Sequence, residues 1–406
     1  MGRTVGAIIL IFLCTALAWF ILAASITSRT RESGTDLGPK VSGLWGAPQT
    51  QTPPSATIVA RMVESTVSDA TGTKKTVSTP ELRELPIDRS RINVALDLDQ
   101  RQKGLLWFAT YRVDFHGDYV IRNDSDKDEV TVNLAFPVAN AIYDNLMLRV
   151  DGQQVPLTTV TNGVSTVVHR APGTPFRVEI GYRSQGLSTW SYSFDSGVAQ
   201  VHDFQLDMRT NFHAIDFPQG TLSPTEKKEA GKGWELSWKY TNIVTGYGIG
   251  MIMPEKLQPG PLAGRISMFA PVSLLFFFFV MFLIATLRKI DLHPMHYFFL
   301  ATSFFAFHLL LAYLVDHISI HAAFAICSAV SIFLVVSYLR IVVNAKFALR
   351  EAAIAQFVYL VLFSYAFFFK GFTGLAITIG AIASLFIAMQ ATARVNWRSD
   401  VVNSAA

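Results

Sequence analysis

The sequence predicts a membrane α-helical bundle of six transmembrane helices with an inserted, extracytoplasmic, all-β sandwich-like domain. Three observations carry this reading: six long apolar runs, a middle stretch whose hydrophobicity alternates with period two, and positive charge that gathers at alternate ends of the runs. With 51% hydrophobic residues among 406 and a positive mean hydropathy, the chain is too apolar for one soluble domain.

The first run spans residues 5–24 and follows Arg3. Its length favours a retained anchor over a cleaved signal peptide. Cys14 lies within it without the small residues that a lipoprotein cleavage site requires. Residues 269–287 read "FAPVSLLFFFFVMFLIATL", and residues 297–315, 322–339, 352–369 and 371–389 repeat the pattern. Each is about 18 or 19 residues, enough to cross a hydrocarbon core roughly 30 Å thick.

Between the first and second runs the texture changes. After the Pro- and Thr-rich stretch "WGAPQTQTPPSATIV", alternation marks strands at "INVALDL", "YRVDFHGDYVI", "VTVNLAF", "FRVEIGY" and "WELSWKY", each with one buried face. Asp151-Gly152 is placed for a tight hairpin turn. Many short strands without an amphipathic helix imply an antiparallel sandwich or two packed sheets. Neither Cys14 nor Cys327 lies in this stretch, so no disulfide braces it, and its size makes one unnecessary. Trp234, Trp238, Tyr240 and Tyr247, near the second tether, read as strand residues in the core of this domain, with packing against the membrane interface as the alternative. Asn123 opens a three-residue glycosylation pattern of little weight.

Charge supplies orientation. Of 34 Lys+Arg and 30 Asp+Glu, residues 27–265 hold 25 and 26, leaving 9 basic and 4 acidic residues for the membrane part. Arg3, Arg288 with Lys289, Arg340 with Lys346 and Arg350, and Arg394 with Arg398 mark one side, and Lys370 the other. The positive-inside rule then makes both termini cytoplasmic and residues 27–265 periplasmic, in a multi-pass protein of a bacterial inner membrane. The sequence pI of 9.0 therefore reflects topology; the bilayer is the expected partner and nucleic acid is not. The domains expected are an anchor, 1–26; an extracytoplasmic β-rich domain, 27–265; a five-helix transmembrane domain, 266–392; and a cytoplasmic tail, 393–406.

Chemistry is sparse. "DLHPMHYFFL" sets His293 and His296 beside Asp291 at a joint between two membrane helices. A metal site needs three or four ligands, whereas Pro294 at a first helical turn and Tyr297 at an interface describe a turn. His317 and His321, four apart and next to Asp316, fall in a short exterior loop. His308 interrupts the third apolar run and is the candidate intramembrane polar site, with Ser303 nearby. It keeps a transporter or channel open as the second reading, together with the small residues of "GFTGLAITIGAIAS", which more simply allow close helix packing. A membrane-embedded enzyme is the third reading, but no nucleophile motif or phosphate loop supports it, so neither catalysis nor a cofactor is expected.

The stretch "DLHPMHYFFLATSFFAFHLLLAYLVDHI" resembles the signature hairpin of the CreD-like family of bacterial inner-membrane proteins. The matching positions are Leu292, His293, Pro294 and Tyr297, then Leu309, Leu310 and Leu311, with Asp316 and His317 closing the helix. The family usually has Glu where Asp316 stands. The layout of anchor, large exterior domain, helix cluster and "ARVNW" tail is similar too. The resemblance implies a non-enzymatic cell-envelope integrity protein linked to an envelope stress response, with the motif residues carrying no assigned role. An envelope protein or cell-wall partner would meet the exterior domain. The oligomeric state stays open.

Overall fold

In the computed structural model the described residues are 2–68, 74–104, 106–139, 141–194, 197, 199–369 and 371–393. Lys370, the Arg3 side chain and tail residues 394–406, with Arg394 and Arg398, lie outside them. The chain divides into two compact units, Met1–Thr35 with Leu257–Ala406, and Asp36–Lys256.

The first unit is helical. Its elements are α1 (Gly2–Trp45, whose end belongs to the second unit), α2 (Pro259–Leu287), α3 (Pro294–Leu314), α4 (Ile320–Val342), α5 (Ala345–Phe368) and α6 (Thr373–Thr392). All six are long and apolar enough to span a bilayer. Prolines open α2 and α3 at positions where a missing N–H costs nothing. Ser319 caps α4, and the Asn344 carboxamide caps α5 by accepting from Phe347 N at 2.8 Å. Helix α5 includes two π-helical segments, Ala348–Ala352 and Phe357–Leu362.

Two boundaries differ from the sequence reading. Helix α1 does not end at residue 26 but runs on to Trp45, 44 residues in all and with Pro39 inside it. Within the polar stretch after residue 26, Thr27 and Thr30 donate their hydroxyls to the carbonyls of Ala23 and Ile26, at 2.8 and 2.9 Å, which satisfies the hydroxyls inside the helix. Helix α2 starts at Pro259 rather than near residue 269. The added turns have a packing reason. A Cβ on Gly260 would sit 2.5 Å from Thr30 Oγ1, and one on Gly264 would sit 3.4 Å from Thr27 Oγ1, so small residues let these helices approach closely.

The second unit is built from sheets. An eight-stranded sheet places Tyr143–Val150, Pro175–Leu187, Thr110–Arg122, Ile87–Leu98, Ala199–Thr210 and Gly233–Thr245 side by side, with short edge strands Gln153–Gln154 and Glu226–Ala230. A five-stranded sheet includes Ser55–Ser68, Lys74–Glu84, Glu129–Ala135 and Gly163–His169. The Thr110–Arg122 strand shows why: Tyr111, Val113, Phe115, Tyr119 and Ile121 are buried, whereas Arg112, Asp114 and His116 are exposed. Both large sheets feed one core, which includes Val132, Val164, Phe204 and Trp238.

Asp151 and Gly152 turn between Val150 and Gln153 with φ of 50° and 78°, the two positive values that a type I′ turn requires. The pairing is not wholly antiparallel. Ser90–Leu96 runs parallel to Phe204–Thr210, because a long excursion through other strands separates them in sequence. Asn123 is fully buried: its Nδ2 donates to the carbonyls of Lys127 and Arg170 at 2.7 and 2.8 Å, and its Oδ1 accepts from Ser125. Trp238 is buried with its Nε1 on Leu222 O at 2.9 Å, whereas Tyr247 is exposed.

Candidate functional site

The motif residues occupy the two ends of α3. At its start, α2 closes in a Schellman motif, with Ile290 N on Ala285 O at 2.9 Å and Lys289 N on Thr286 O at 3.2 Å. Lys289 takes the left-handed conformation, φ 54°, where glycine is usual. Leu292 is then buried, and His293 becomes the N-cap of α3, its Nδ1 accepting from Met295 N at 3.3 Å ahead of Pro294. That contact assigns the His293 proton to Nε2. His296 Nδ1 lies 2.7 Å from the Tyr338 hydroxyl on α4. Tyr297 is buried edge-on to Phe278 of α2, with centroids 5.3 Å apart. Arg288 pairs with Glu351 of α5 at 2.6 Å. Helices α2, α3, α4 and α5 are therefore tied together at this joint.

At the far end Asp316 has a partner that the sequence reading missed. Arg29 Nη2 lies 3.3 Å from Asp316 Oδ2 and donates to Ala312 O at 2.8 Å, while its Cζ stands 5.2 Å from the centroid of the Tyr313 ring. One guanidinium thus meets a carboxylate, a carbonyl in the last turn of α3 and an aromatic face. His317 is exposed, and its backbone N–H closes on Leu314 O at 3.0 Å. The structure brings Asp316 to α1 and leaves His317 out. The signal for Arg29 was local: a helix that continues through "ITSRTRES" carries a basic residue just beyond its apolar run.

Midway, His308 is fully buried. Its Nδ1 lies 3.0 Å from Phe304 O, which fixes the proton on Nδ1 and leaves Nε2 an acceptor. The ring meets Trp19 of α1 edge-on, with centroids 5.8 Å apart. Neither His308 Nε2 nor Trp19 Nε1 has a hydrogen-bond partner among the described residues, so this contact holds an unused donor and an unused acceptor. Ser303 joins a second relay: Ser331 Oγ of α4 donates to Ser303 O at 2.6 Å, and Gln356 Nε2 of α5 donates to Ser331 Oγ at 2.8 Å. Sequence reasoning missed Gln356, although a glutamine inside "AIAQFVYLV" is the kind of interruption that marks an interhelical hydrogen bond. The π-helical Phe357–Leu362 segment presents Tyr359 O to the Ser273 hydroxyl of α2, the kind of local opening such segments provide. Among the described residues no three His, Cys, Asp or Glu side chains are grouped to hold a metal ion.

Residues 248–398 match the family model of the inner membrane protein CreD. The match spans α2 to α6 and contains every motif position from Leu292 to His317, in agreement with the CreD-like resemblance. The matched segment holds five of the six helices that are long and apolar enough to cross a membrane. No curated protein matches the chain. Among solved structures, a putative nutrient binding protein from Legionella pneumophila is 8% identical, with a TM-score of 0.34 over 60% of this chain and 80% of that one. An M1 zinc metallopeptidase from Deinococcus radiodurans is 10% identical, with a TM-score of 0.28 over 41% and 42%. The leukotriene A4 hydrolase from Saccharomyces cerevisiae is 11% identical, with a TM-score of 0.22 over 41% and 28%. Likenesses this low carry no argument about this chain.

Proposed function

We propose that the protein is a non-enzymatic component of the cell envelope that contributes to envelope integrity or to an envelope stress response. In this reading both termini are cytoplasmic and residues 27–265 are periplasmic, doubly tethered by α1 and α2. The observation that carries it is the use to which the motif's polar residues are put. His293 caps a helix and Asp316 holds Arg29, contacts that fix the arrangement of helices, and they lie in a segment matching an inner-membrane family. Leu292, Pro294 and Tyr297 act as turn and packing residues, and His308 as an interhelical contact to Trp19.

Two tethers restrict the orientation of a domain and keep its concentration high at the membrane face, which suits a scaffold or sensor. The test has two arms. Reporter fusions after Arg288 and Arg350 should read as cytoplasmic, and fusions near Thr225 and His317 as exterior. A strain lacking the gene should lose tolerance to bile salt and lysozyme and regain it with the intact chain but not with Arg29→Asp. An exterior signal at Arg350, or unaltered tolerance in the deleted strain, overturns the reading.

A further inference from the structure

The β unit holds a cleft of about 890 Å³. It opens where two parallel strands diverge. Phe204–Thr210 pairs with Ser90–Leu96, but the pairing begins only at Phe204, after Asp203 kinks the strand with a φ of 37°. Among the described residues, the preceding Ala199–His202 pair with Asn242–Thr245 on one side alone. In such a strand alternate residues turn their N–H and C=O away from the existing partner, so the other edge of Ala199–His202 carries backbone donors and acceptors with no partner among the described residues. That edge lines the cleft.

The opposite wall cannot satisfy it. Leu85 N already donates to Ala56 O at 2.8 Å, and Pro86 O accepts from Arg122 N at 3.1 Å, so those backbone groups are engaged elsewhere. Apolar side chains, among them Phe194, Ile87 and Val201, line the interior. At the rim the Glu84 carboxylate has no ionic or hydrogen-bond partner among the described residues, and Asp124 shares its charge with Arg83 at 2.7 Å. The site therefore offers an open strand edge, a mixed lining of apolar and polar side chains and an unpaired carboxylate.

We propose that this cleft receives an extended peptide segment as an added strand along Ala199–His202, with a basic side chain of the segment set on Glu84. Strand addition draws affinity from main-chain hydrogen bonds and selectivity from alternate side chains. Four residues of strand extend about 13 Å, a length that a short exposed segment of another extracytoplasmic protein supplies. The inference stands on the β unit alone and does not depend on the envelope role.

The test uses the full chain in lipid nanodiscs and a fluorescein-labelled seven-residue peptide alternating lysine and valine. Saturable binding by anisotropy is expected. Affinity should fall about tenfold or more when alternate peptide amides are N-methylated, because the added-strand hydrogen bonds are lost, and by a similar factor with Glu84→Lys. Hydrogen exchange should slow at the cleft-facing amides within residues 199–202. Absence of saturable binding, equal binding by the N-methylated peptide, or protection confined to other strands overturns the proposal.

Discussion

Arg29 makes three contacts and Asp316 contributes one of them, so substitutions at the two positions should differ in a defined ratio. The Arg29 side chain is 40% exposed and that of Asp316 18%, so solvent screening holds the ion pair itself to about 0–1 kcal/mol. The charged hydrogen bond to Ala312 O contributes about 1.5–3 kcal/mol, and the stacked Tyr313 ring about 0.5–1 kcal/mol. Asp316→Asn should therefore cost the membrane unit less than about 1 kcal/mol, and Arg29→Ala, which removes all three contacts, about 2–5 kcal/mol. Cys327, which is buried among the helices, reports on opening: in a Cys14→Ser background, a thiol-reactive dye should label it at a lower temperature in Arg29→Ala than in Asp316→Asn. The exchanged pair Arg29→Asp with Asp316→Arg should stay close to Arg29→Ala, since the carbonyl contact is not rebuilt. An Asp316→Asn loss equal to that of Arg29→Ala would refute the assignment of the guanidinium chiefly to the end of α3.

Other consequences are also measurable. His293→Asn should keep the cap of α3 and the protein level, His293→Ala should cost about 1 kcal/mol, and a helix left unchanged in melting by His293→Ala would contradict the capping role. Lys289→Gly should raise the melting temperature of the membrane unit by the roughly 1 kcal/mol that a left-handed lysine costs; a lower melting temperature would show that the side chain matters more than the backbone. Burial raises the pKa values of Tyr111, Tyr119, Tyr182 and Tyr192 well above the usual 10.0. Their contribution is complete below the unfolded value and is lost as pH rises through and beyond it, by about 1.4 kcal/mol per pH unit for each phenol. The β circular dichroism signal should thus collapse together with phenolate formation in that alkaline range, and full phenol ionisation with the signal intact would contradict their burial. Asn123→Ala should destabilise the β unit by about 1–3 kcal/mol, because the carbonyls of Lys127 and Arg170 and the Ser125 hydroxyl lose their partner; unfolding in urea measures it, and an unchanged midpoint would sink the claim.

Much of this fold was legible because its signals are local. Runs such as residues 269–287 advertise helices by length and apolarity, the alternation in Thr110–Arg122 follows from one buried face, and Asp151-Gly152 supplies the positive φ angles its hairpin requires. His308 was visible as an interruption of an apolar run. What escaped the reading depends on distant partners. Nothing near Asp316 indicates that Arg29, 287 positions earlier, supplies its counter-ion, and nothing in "INVALDL" indicates a parallel neighbour beginning at Phe204. The helical continuation of α1 past residue 26 was not legible because Thr, Ser, Gly and Pro there resemble a linker, whereas the close approach of Thr27 and Thr30 to Gly264 and Gly260 of α2 packs this part of the helix. The relay from Ser303 through Ser331 to Gln356 joins three helices, and only their packing reveals which of many serines takes part.

The proposed function requires the β unit to be joined to the membrane helices through both α1 and α2. The most direct measurement severs one tether in the intact protein: a protease site inserted between Trp45 and Gln49 is cut in living cells by an exported protease, leaving the β unit folded and still joined to α2. The account predicts that tolerance to bile salt and lysozyme falls to the level of the strain lacking the gene while the cut protein remains at normal abundance. Full tolerance after complete cleavage would contradict it.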